Sequence, residues 1–555
     1  MPDNREVAGK ISRIGKLMEL MGDNPFKIRA YLNGADAIDA LHEDLDVLIR
    51  EDRLRDIPGI GEALREKITS IHSTGSHPLL DKLESEIPSG VAEMMRIKGL
   101  GAKKIISIWK EMNITSPGDL LQACNENRLV QWKGFGEKIQ ETIGKAVEYY
   151  LQNQGKFHYA RIFPLAMNIA GFLEKEIGKE NVSLTGEIRR KLPVVERIEI
   201  LVADEFKKPC LKILLKEDGS KVVSESDSSA DMEYGSNSIP LRIYFSNGNF
   251  PLALFKTTGS EKHLESAGNL KVKSPASEED IYRSLGLSFV EPELREGTGE
   301  VKWAKDGKQR ALVTIQDLKG CLHNHSTWSD GLHSIEDMAK VCIASGLVYF
   351  GISDHSRSAV YANGLSPERV IQQQLEIDKL NVKLSPFKIF KGIESDILAD
   401  GSLDFPDEIL KTFDFIVASI HSQTNMDEEK ATARLIRAIE NPYTSILGHP
   451  TGRLLLMRRG YPINHRKVID ACAANGVAIE MNSNPYRLDI DWSWIPYCLE
   501  KDVMISINPD AHKVSGIQDM EWGIAAARKG GLVAAMTLNA KSEAEIAAYF
   551  ENRKS

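Results

Sequence analysis

The sequence predicts a multidomain protein of mixed α+β and α/β class. Three observations lead to that prediction: a length of 555 residues, three similar glycine turns in the first 150 residues, and a stretch from residue 318 onward in which short apolar runs alternate with helical segments. One hydrophobic core rarely organises a chain of this length, so several domains are expected. Alternating strands and helices are typical of βα units around a parallel sheet.

Composition and charge are those of a globular protein. Hydrophobic residues make up 42% and charged residues 27% of the chain, and no apolar run of about 18 residues predicts a membrane span. The start, "MPDNREVAGK", predicts no secretory signal. The net charge of −9 excludes a general basic field, so nucleic-acid binding would need local features. Six scattered cysteines without a CxxC pair predict reduced thiols and a cytoplasmic location.

Three segments of one kind recur in the first 150 residues, which are predicted to be mostly helical. Each consists of an apolar helix end, a G-x-G turn and a helix start. The segments are "LRDIPGIGEALREKI", "MMRIKGLGAKKIISIW" and "VQWKGFGEKIQETI", and their glycines are Gly59 and Gly61, Gly99 and Gly101, and Gly134 and Gly136. Glycine permits positive φ and close approach of a ligand, and the next helix offers free N–H groups. One such turn is more often a packing unit, but three of them favour binding of DNA phosphates. They resemble helix-hairpin-helix motifs, which hold DNA backbone without reading bases.

The middle of the chain, from about residue 155 to residue 315, is predicted to contain antiparallel strands, because apolar runs alternate in "VSLTGEIRRKLPVVERIEILVAD" and "NSIPLRIYFSNG". With "NPFKIRAY", "TTGSEKH" and "SEEDIYRSLGL", these segments resemble bacterial family X DNA polymerases over most of residues 1–317. The resemblance implies a palm and a thumb after the helical domains.

The same resemblance locates a departure from the family. Family X palms carry an Asp-x-Asp pair and a third Asp, which hold the two Mg²⁺ ions of nucleotidyl transfer. In this chain the three positions fall on Arg197, Glu199 and Pro240. Arginine repels a dication, and Glu196, one residue away, would point to the opposite face of the strand. We expect a palm that keeps its fold and does not polymerise.

From residue 318 onward, six apolar runs end in histidines or acids. They are "KGCLHNH", "YFGISDH", "KIFKGIES", "FIVASIH", "SILGHP" and "VMISINPDAH". Chemistry gathers at the C-terminal ends of strands in α/β barrels. A single histidine there is more often structural, but the repeated placement predicts a metal centre. Histidines with carboxylates suit two or three divalent ions, Mn²⁺ or Zn²⁺ first and Fe²⁺ or Mg²⁺ next, with Glu394 as the candidate bridge.

This layout resembles the polymerase and histidinol phosphatase (PHP) domain, a distorted seven-stranded (β/α)7 barrel with a trinuclear metal site. The resemblance implies nine metal ligands: His323, His325, Asp330, His355, Glu394, His421, His449, Asp510 and His512. All of these except His355 and His449 are also expected to be catalytic. His333 and His465 match no ligand position and are expected not to bind metal.

Arginines follow the fifth of these runs in "GHPTGRLLLMRRGYP". Arginine binds phosphate in a bidentate manner, so we expect Arg453 or Arg459 to contact a phosphate. Simple exposure to solvent is the equally open alternative for each of them.

The two resemblances together cover nearly the whole chain and divide it into five parts. We expect a helical DNA-binding domain (1–80), a fingers-like helix-hairpin-helix domain (81–150), a degenerate palm (151–245), a thumb with linker (246–317) and a PHP phosphoesterase domain (318–555). The family implies a 3′→5′ exonuclease or phosphodiesterase of base excision repair. Its partner would be DNA with 3′, gapped or single-stranded ends, and we expect a monomer.

Three alternatives stay open. One is an active gap-filling polymerase with a 3′→5′ exonuclease, against which Arg197, Glu199 and Pro240 count. Another is a small-molecule phosphatase of the histidinol phosphatase type, which would have no use for three hairpins. The last is a non-catalytic scaffold for DNA ends, which the complete ligand set opposes.

Overall fold

The structure is a computed structural model that describes residues 2–41, 43–268, 274–307 and 311–554. Residues 269–273, in the predicted thumb, and 308–310, in the predicted linker, lie outside the described ranges. The chain forms two compact units, Met1–Gln154 and Gly155–Ser555. None of the helices in the described ranges has the length and apolar run that a bilayer crossing needs.

The first unit is helical, as the sequence predicts. Its α-helices are α1 (Asn4–Met21), α2 (Pro25–Asp39), α3 (Leu45–Arg50), α4 (Glu62–Thr74), α5 (Pro78–Glu86), α6 (Ser89–Met94), α7 (Ala102–Lys110), α8 (Pro117–Asn125) and α9 (Glu137–Gln152).

Helix α1 shows how local sequence sets these elements. Asp3 caps its first turn by accepting the N–H of Glu6, and Gly22 ends it at a φ of 74°. Its buried face includes Ile11 and Ile14, which join a core shared by the helices of this unit.

The second unit begins with a palm-like sheet of five strands in the order β2-β4-β7-β6-β5, beside a two-stranded ribbon of β1 and β3. The sequence predicts antiparallel strands here. The structure makes one exception, because β4 and β7 run parallel. The elements are β1 (Phe157–His158), α10 (Tyr159–Ile177), β2 (Val182–Leu184), α11 (Gly186–Arg189), β3 (Val194–Val195), β4 (Ile198–Val202), α12 (Lys207–Leu214), β5 (Lys221–Glu225), β6 (Ser229–Tyr234) and β7 (Ile239–Phe245).

A small helical layer follows in the predicted thumb. Its core contains Phe255 and Tyr282, and the buried guanidinium of Arg295 bonds to the carboxylate of Glu278. A buried charge of this kind has to be paired. The helices are α13 (Phe250–Thr258), α14 (Glu261–Ala267), α15 (Glu278–Ser284) and α16 (Glu300–Lys305).

The remaining chain forms the predicted (β/α)7 barrel. Seven strands lie in chain order, from β8 to β14, and every neighbouring pair is parallel. A parallel bridge between Asn324 and Ala511 links the ends of the first and last strands. Phe390, Phe415 and Phe550 fill the end of the barrel opposite the strand C-termini.

The elements of the barrel follow one another along the chain as strand and helix. They are β8 (Gly320–Cys321), α17 (Ile335–Ala344), β9 (Tyr349–Ile352), α18 (Pro367–Lys383), β10 (Lys388–Asp396), α19 (Asp407–Leu410), β11 (Phe415–Ser419), α20 (Glu428–Ile439), β12 (Ile446–Leu447), α21 (His465–Asn475), β13 (Ala478–Asn482), α22 (Ile495–Glu500), β14 (Ile505–Asn508), α23 (Met520–Lys529) and α24 (Glu543–Asn552).

A buried polar network joins the palm and thumb to the barrel. The ammonium of Lys529, at the end of α23, donates to the carbonyls of Arg190 (2.9 Å) and Glu293 (3.2 Å) and to the carboxylate of Glu296 (2.7 Å). Arg528 pairs with Glu293 at 2.5 Å. These contacts make the palm, the thumb and the barrel parts of one compact unit.

Candidate metal centre

The carboxylate of Glu394, at the end of β10, lies in the middle of the barrel mouth. Its Oε1 atom lies 3.2 Å from His323 Nε2, 3.2 Å from His421 Nε2 and 3.0 Å from His449 Nε2. These histidines come from the ends of three other strands. The central position is the one that the sequence analysis assigns to a bridging carboxylate.

The other oxygen of Glu394 faces a second group of side chains. Oε2 lies 2.9 Å from His355 Nδ1 and 3.7 Å from His325 Nε2. Asp510, at the end of the last strand, places Oδ1 at 3.1 Å from His325 Nε2. Asp330, from the loop after β8, places Oδ2 at 3.7 Å from His355 Nε2.

His512 closes this second group at the rim of the mouth. Its Nε2 atom lies 3.5 Å from Asp330 Oδ1, and its ring stacks on that of His325 with 4.1 Å between the centroids. The structure therefore brings together all nine residues that the PHP resemblance implies as ligands.

The donors fit divalent cations. Three groups have all their ligand atoms within 4.8 Å of one another: His325, Asp330, His355 and His512; His323, His325 and Asp510; and His355, Glu394 and His421. Several buried donor atoms have no hydrogen-bond partner among the described residues, namely His323 Nε2, His325 Nδ1, His355 Nδ1, His449 Nδ1 and Glu394 Oε2. Buried polar atoms without partners are costly, and cations between them would satisfy them.

Two further carboxylates orient the histidines. Glu480, inside β13, accepts from His323 Nδ1 at 2.7 Å and from the backbone N–H of His449 at 2.8 Å. Asp396, two residues beyond Glu394 on the same strand, accepts from His421 Nδ1 at 2.5 Å. An acceptor on Nδ1 fixes the tautomer, so that Nε2 points to the centre. Neither acid is among the residues that the sequence predicts for the site.

A third acid shapes the loop that carries Asp330. Asp354 is fully buried and accepts from Ser326 Oγ at 2.7 Å, from Ser329 Oγ at 2.5 Å and from the amide of Gln373 at 2.7 Å. Burial raises its pKa, and the hydrogen bonds act in the opposite direction. These contacts hold the "STWSD" loop over the strand ends.

The electrostatics of the centre keep its carboxylates anionic. Burial alone would raise the pKa of Glu394, but the surrounding histidines outweigh it and hold that pKa well below its usual range. The bond from His512 overcomes burial in the same way and lowers the pKa of Asp330 to about 2. Burial would lower the pKa of His323, but the charges of Glu480 and Glu394 raise it well above its usual value. The mouth is thus a set of anions facing imidazoles.

The two histidines that the sequence analysis set apart have other surroundings. None of the donor groups formed by the described residues includes His333 or His465. His465 stacks on Trp494, with 4.5 Å between the ring centroids.

The three glycine turns of the first unit adopt one geometry. The first glycine of each, Gly59, Gly99 or Gly134, has a φ of 86°, 84° or 93°, a conformation that favours glycine. The second glycine is the N-cap residue of the next helix, α4, α7 or α9, and has an extended backbone.

The second glycines leave the helix ends open. No side chain caps the first turns that follow Gly61, Gly101 and Gly136. A Cβ atom added at any of these positions would meet nothing within 4 Å. Neither the fold nor φ requires glycine there, so the free N–H groups stand accessible to an anion.

Comparisons with known proteins match several parts of the chain. Models of three families match it: a helix-hairpin-helix domain over residues 2–77, a SAM-like helix-hairpin-helix tandem over 91–146 and a PHP domain over 322–484. The DNA polymerase/3'-5' exonuclease PolX of Bacillus subtilis (strain 168) is 33% identical over 571 aligned positions, which cover 99% of both chains. The chain belongs to the bacterial family X DNA polymerases that carry a C-terminal PHP domain.

The barrel also has relatives of its own. A probable phosphatase of Thermoanaerobacter sp. (strain X514) is 29% identical over 234 residues, which are 38% of this chain and 92% of the relative. A probable phosphatase of Acetivibrio thermocellus is 30% identical over 171 residues, 30% of this chain and 65% of the relative. The PHP barrel of this family X member is thus shared with proteins that lack its first half.

The palm of this family X member carries the departure that the sequence locates. Arg197 immediately precedes β4, and Glu199 lies within it. Ile198 pairs with Leu241, which places Pro240 at the start of the neighbouring strand β7. The three positions lie at the same end of two adjacent strands.

Glu199 is already bound within the palm. Its buried carboxylate accepts the backbone N–H of Glu187 at 2.8 Å and the hydroxyl of Tyr244 at 3.1 Å. A Cβ atom at Gly186 would lie 1.8 Å from it. The side chain therefore fills the "GEIRR" turn.

The other charges around this site are also paired. Arg242 binds Asp231 through two hydrogen bonds of 2.6 and 2.8 Å, which lower the pKa of Asp231. Arg197 Nη1 lies 3.9 Å from the same carboxylate. The carboxylate of Asp231 is thus engaged by two cations.

The two arginines of the "GEIRR" turn have internal partners as well. Arg189 binds Glu278 at 3.1 and 2.5 Å, and Arg190 binds Glu296 at 2.9 Å. Their charges are balanced by the thumb.

The sequence predicts a phosphate contact for Arg453, but in the structure its side chain is bonded within the protein. Its Nη1 atom lies 2.5 Å from Asp491, its Nε donates to the carbonyl of Arg487 at 3.0 Å, and its Nη2 bonds to the carbonyl of Leu488. The guanidinium is committed to the loop after β13, because all three of its nitrogens have partners there. The phosphate contact of Arg459 stays a prediction.

Proposed function

We propose that this protein is a metal-dependent 3′→5′ exonuclease or phosphodiesterase that processes DNA ends in repair, with a palm that does not polymerise. One observation carries the proposal: eight imidazole and carboxylate side chains, most of them from separate strand ends, surround Glu394 in one barrel mouth. Divalent ions held there would polarise a phosphodiester and acidify a water molecule.

The residues of the mouth divide this work. Glu394, Asp330 and Asp510 supply the negative charge that holds cations next to an anionic backbone. Glu480 and Asp396 keep two imidazoles aimed inward. The fixed geometry matters because positions wrong by about 1 Å cost large factors in rate.

The helix-hairpin-helix domains support DNA as the substrate. Three turns with uncapped N–H groups would bind three backbone phosphates without reading sequence. Lysines flank the second and third turns, at Lys98, Lys103, Lys104, Lys133 and Lys138. Local charge of this kind compensates for the acidic chain as a whole.

The palm is the part that separates this proposal from an active gap-filling polymerase. The Bacillus subtilis relative is named as a DNA polymerase as well as an exonuclease, which favours the active polymerase. In this chain, however, Arg197 would repel a dication, and the carboxylate of Glu199 is used by the turn beside it. These contacts support a palm without nucleotidyl transfer.

A small-molecule phosphatase is the second alternative, favoured by the similarity of the barrel to probable phosphatases. The three helix-hairpin-helix turns of the first unit speak for a polymeric substrate instead.

One experiment separates the three functions. The purified chain is incubated with Mn²⁺ or Zn²⁺ and 5′-labelled single-stranded or gapped DNA, with or without dNTPs, beside a His323→Ala/His325→Ala variant. We expect shortening that the variant loses. Lengthening that requires dNTPs would establish the polymerase, and release of phosphate from small esters with intact DNA would establish the phosphatase.

A further inference from the structure

An arginine lies on the loop next to the candidate metal centre. Arg487 follows β13, and its buried Nε atom has no hydrogen-bond partner among the described residues. Its loop lies against the segment that follows the ligand His449, because Thr451 donates its backbone N–H and its hydroxyl to Asp489, each at 3.0 Å. A buried guanidinium nitrogen without a partner is costly, so its retention calls for an anion that is not part of the chain.

A second guanidinium shares this space. Arg458 bonds through Nη2 to the carbonyl of Gly452 at 2.5 Å, and the segment that carries it pairs with the Arg487 loop, since the N–H of Leu455 donates to the carbonyl of Tyr486 at 2.7 Å. Asp489 is the acid that acts on it, and this carboxylate also accepts two hydrogen bonds from Thr451. Two guanidinium groups on neighbouring segments, beside an acid that Thr451 already engages, suit a phosphate.

The loop that presents Arg487 is held from both sides. Arg453 binds the carbonyl of Arg487 at 3.0 Å, and the N–H of Leu455 donates to the carbonyl of Tyr486 at 2.7 Å. His158 of the palm packs against the same loop, with 4.8 Å between its ring and that of Tyr486. The palm therefore helps to fix the loop that carries Arg487.

An exposed aromatic ring stands over the ligand histidines. Tyr361, on the loop after β9, is 71% exposed, yet its ring centroid lies 6.1 Å from that of His355 and 6.5 Å from that of His421. Loop backbone bonds from Ser356 and Leu365 to strand-end residues anchor the segment. A rigidly held aromatic side chain beside a phosphate site suits stacking on a nucleobase.

From these observations we infer that Arg487 and Arg458 bind the phosphate of the 3′-terminal nucleotide of a DNA strand, while Tyr361 stacks on its base. The inference rests on the proposed function and names the part of the substrate that the mouth recognises. Arg487 acts on any backbone phosphate, and Tyr361 acts only on a nucleotide that carries a base.

Digestion of two oligonucleotides tests this division of roles. One ends in an ordinary 3′ nucleotide and the other in a tetrahydrofuran residue without a base. We expect Tyr361→Ala to slow release of the ordinary nucleotide by roughly tenfold, as loss of one stacking contact does. The tetrahydrofuran end should be released at the wild-type rate, and Tyr361→Phe should behave as wild type. Val360→Ala, a change at a neighbouring residue that is 83% exposed, serves as the control.

The arginine variants give a different pattern. Arg487→Ala should slow both substrates by the same factor, and Arg487→Lys should restore part of the rate because the charge remains. If Tyr361→Ala slows both substrates equally, or neither, the stacking role is overturned. An unchanged rate in Arg487→Ala would overturn the phosphate role. Thermal unfolding of each variant excludes loss of the fold.

A binding measurement keeps the inference testable if the wild type digests no DNA. 2-Aminopurine deoxyriboside 5′-monophosphate is titrated into the zinc-loaded protein, and its fluorescence is followed. We expect quenching on binding, less quenching with Tyr361→Ala and weaker affinity with Arg487→Ala. If the wild type cuts no DNA, the proposed function alone is overturned. If the nucleotide does not bind, the inferred roles of Arg487 and Tyr361 are overturned.

Discussion

On two of the candidate ligand histidines, carboxylates outside the candidate metal centre decide which ring nitrogen faces it. His323 and His421 turn Nε2 to the centre because Glu480 and Asp396 accept from their Nδ1 atoms. Without the acceptor, the imidazole could take either tautomer and would rotate more freely. The metal centre therefore depends on buried carboxylates that lie just outside it.

Glu480→Gln tests this dependence. The amide keeps the volume of the side chain but loses the charge that holds the Nδ1 proton of His323, so we expect metal affinity to fall by about 10- to 100-fold. Competition with a chromogenic chelator measures the affinity. Glu500→Gln, the same change at an exposed position of α22, is the matched control. Equal affinity in both variants would contradict the orienting role.

Strand-end positions are the residues that sequence predicts best. All nine expected ligands meet in the mouth, because parallel strands of a barrel end at the same face whatever their loops do. The supporting residues could not be derived in the same way. Arg453 and Arg487 look alike in the sequence, and only the fold decides that one binds Asp491 while the other stands beside His449.

At the scale of elements, the two glycines of each hairpin turn differ in their structural roles. Gly99 has a φ of 84°, which a side chain would strain, whereas Gly101 has an extended backbone and open space around its Cβ position. The backbone conformation of the turn requires the first glycine, whereas the second leaves the helix end open to a ligand.

Gly101→Ser separates these roles. Serine is a good N-cap, so its hydroxyl would bind the open N–H groups of α7 and keep or raise stability. The same bond would compete with a DNA phosphate, and we expect weaker DNA binding with a shallower salt dependence. Gly99→Ala should instead lower the free energy of unfolding by about 1 kcal/mol. Fluorescence anisotropy at several salt concentrations and urea unfolding measure the two effects. Unchanged DNA affinity in Gly101→Ser would argue against phosphate binding at this turn.

The strand β4 carries an acid that is bonded within the palm. The buried carboxylate of Glu199 satisfies the N–H of Glu187 and the hydroxyl of Tyr244. We expect Glu199→Ala to destabilise the protein by about 1–3 kcal/mol, because both donors lose their partner. Glu196→Ala, at an exposed neighbour, should change stability by less than about 0.5 kcal/mol. Equal urea midpoints for the two variants would show that Glu199 does not support the turn.

The sequence predicts the class of these elements better than their pairing. The alternating apolar runs of the palm identify strands, but the parallel pairing of β4 with β7 depends on the hairpin of β5 and β6 that lies between them in the chain. Direction of pairing is set by such connections and not by the composition of a strand.

At the scale of the whole molecule, the palm and thumb are joined to the barrel by side-chain contacts. Residues more than 200 positions apart meet at this junction, such as Lys529 and Glu296. No pattern in the sequence signals such a meeting. The contact of His158 with Tyr486 suggests a reason for keeping the palm, since it supports the loop that presents Arg487.

The junction itself predicts a pH dependence of stability. Burial lowers the pKa of Lys529 to about 8, against an ordinary value of 10.5, even though Glu296 and Glu293 act in the opposite direction and Arg190 acts with it. Below about pH 8 the lysine is charged in both the folded and the unfolded states, so the full cost of burying the ammonium is present. Between about pH 8 and 10.5 the unfolded state binds more protons than the folded state, and stability contributed by this residue rises with pH. The shift corresponds to about 3 kcal/mol over that window.

Lys529→Met removes the titrating group and leaves an apolar chain of similar length. We expect the melting temperature of the wild type to rise relative to that of Lys529→Met as the pH increases from 7.5 to 10, because only the wild type sheds a buried proton over that range. Differential scanning calorimetry at matched ionic strength measures the difference, and Lys467→Met, at an exposed position of α21, controls for the loss of one surface charge. If the two melting temperatures change in parallel across this window, the ammonium of Lys529 does not carry the cost that its buried position implies.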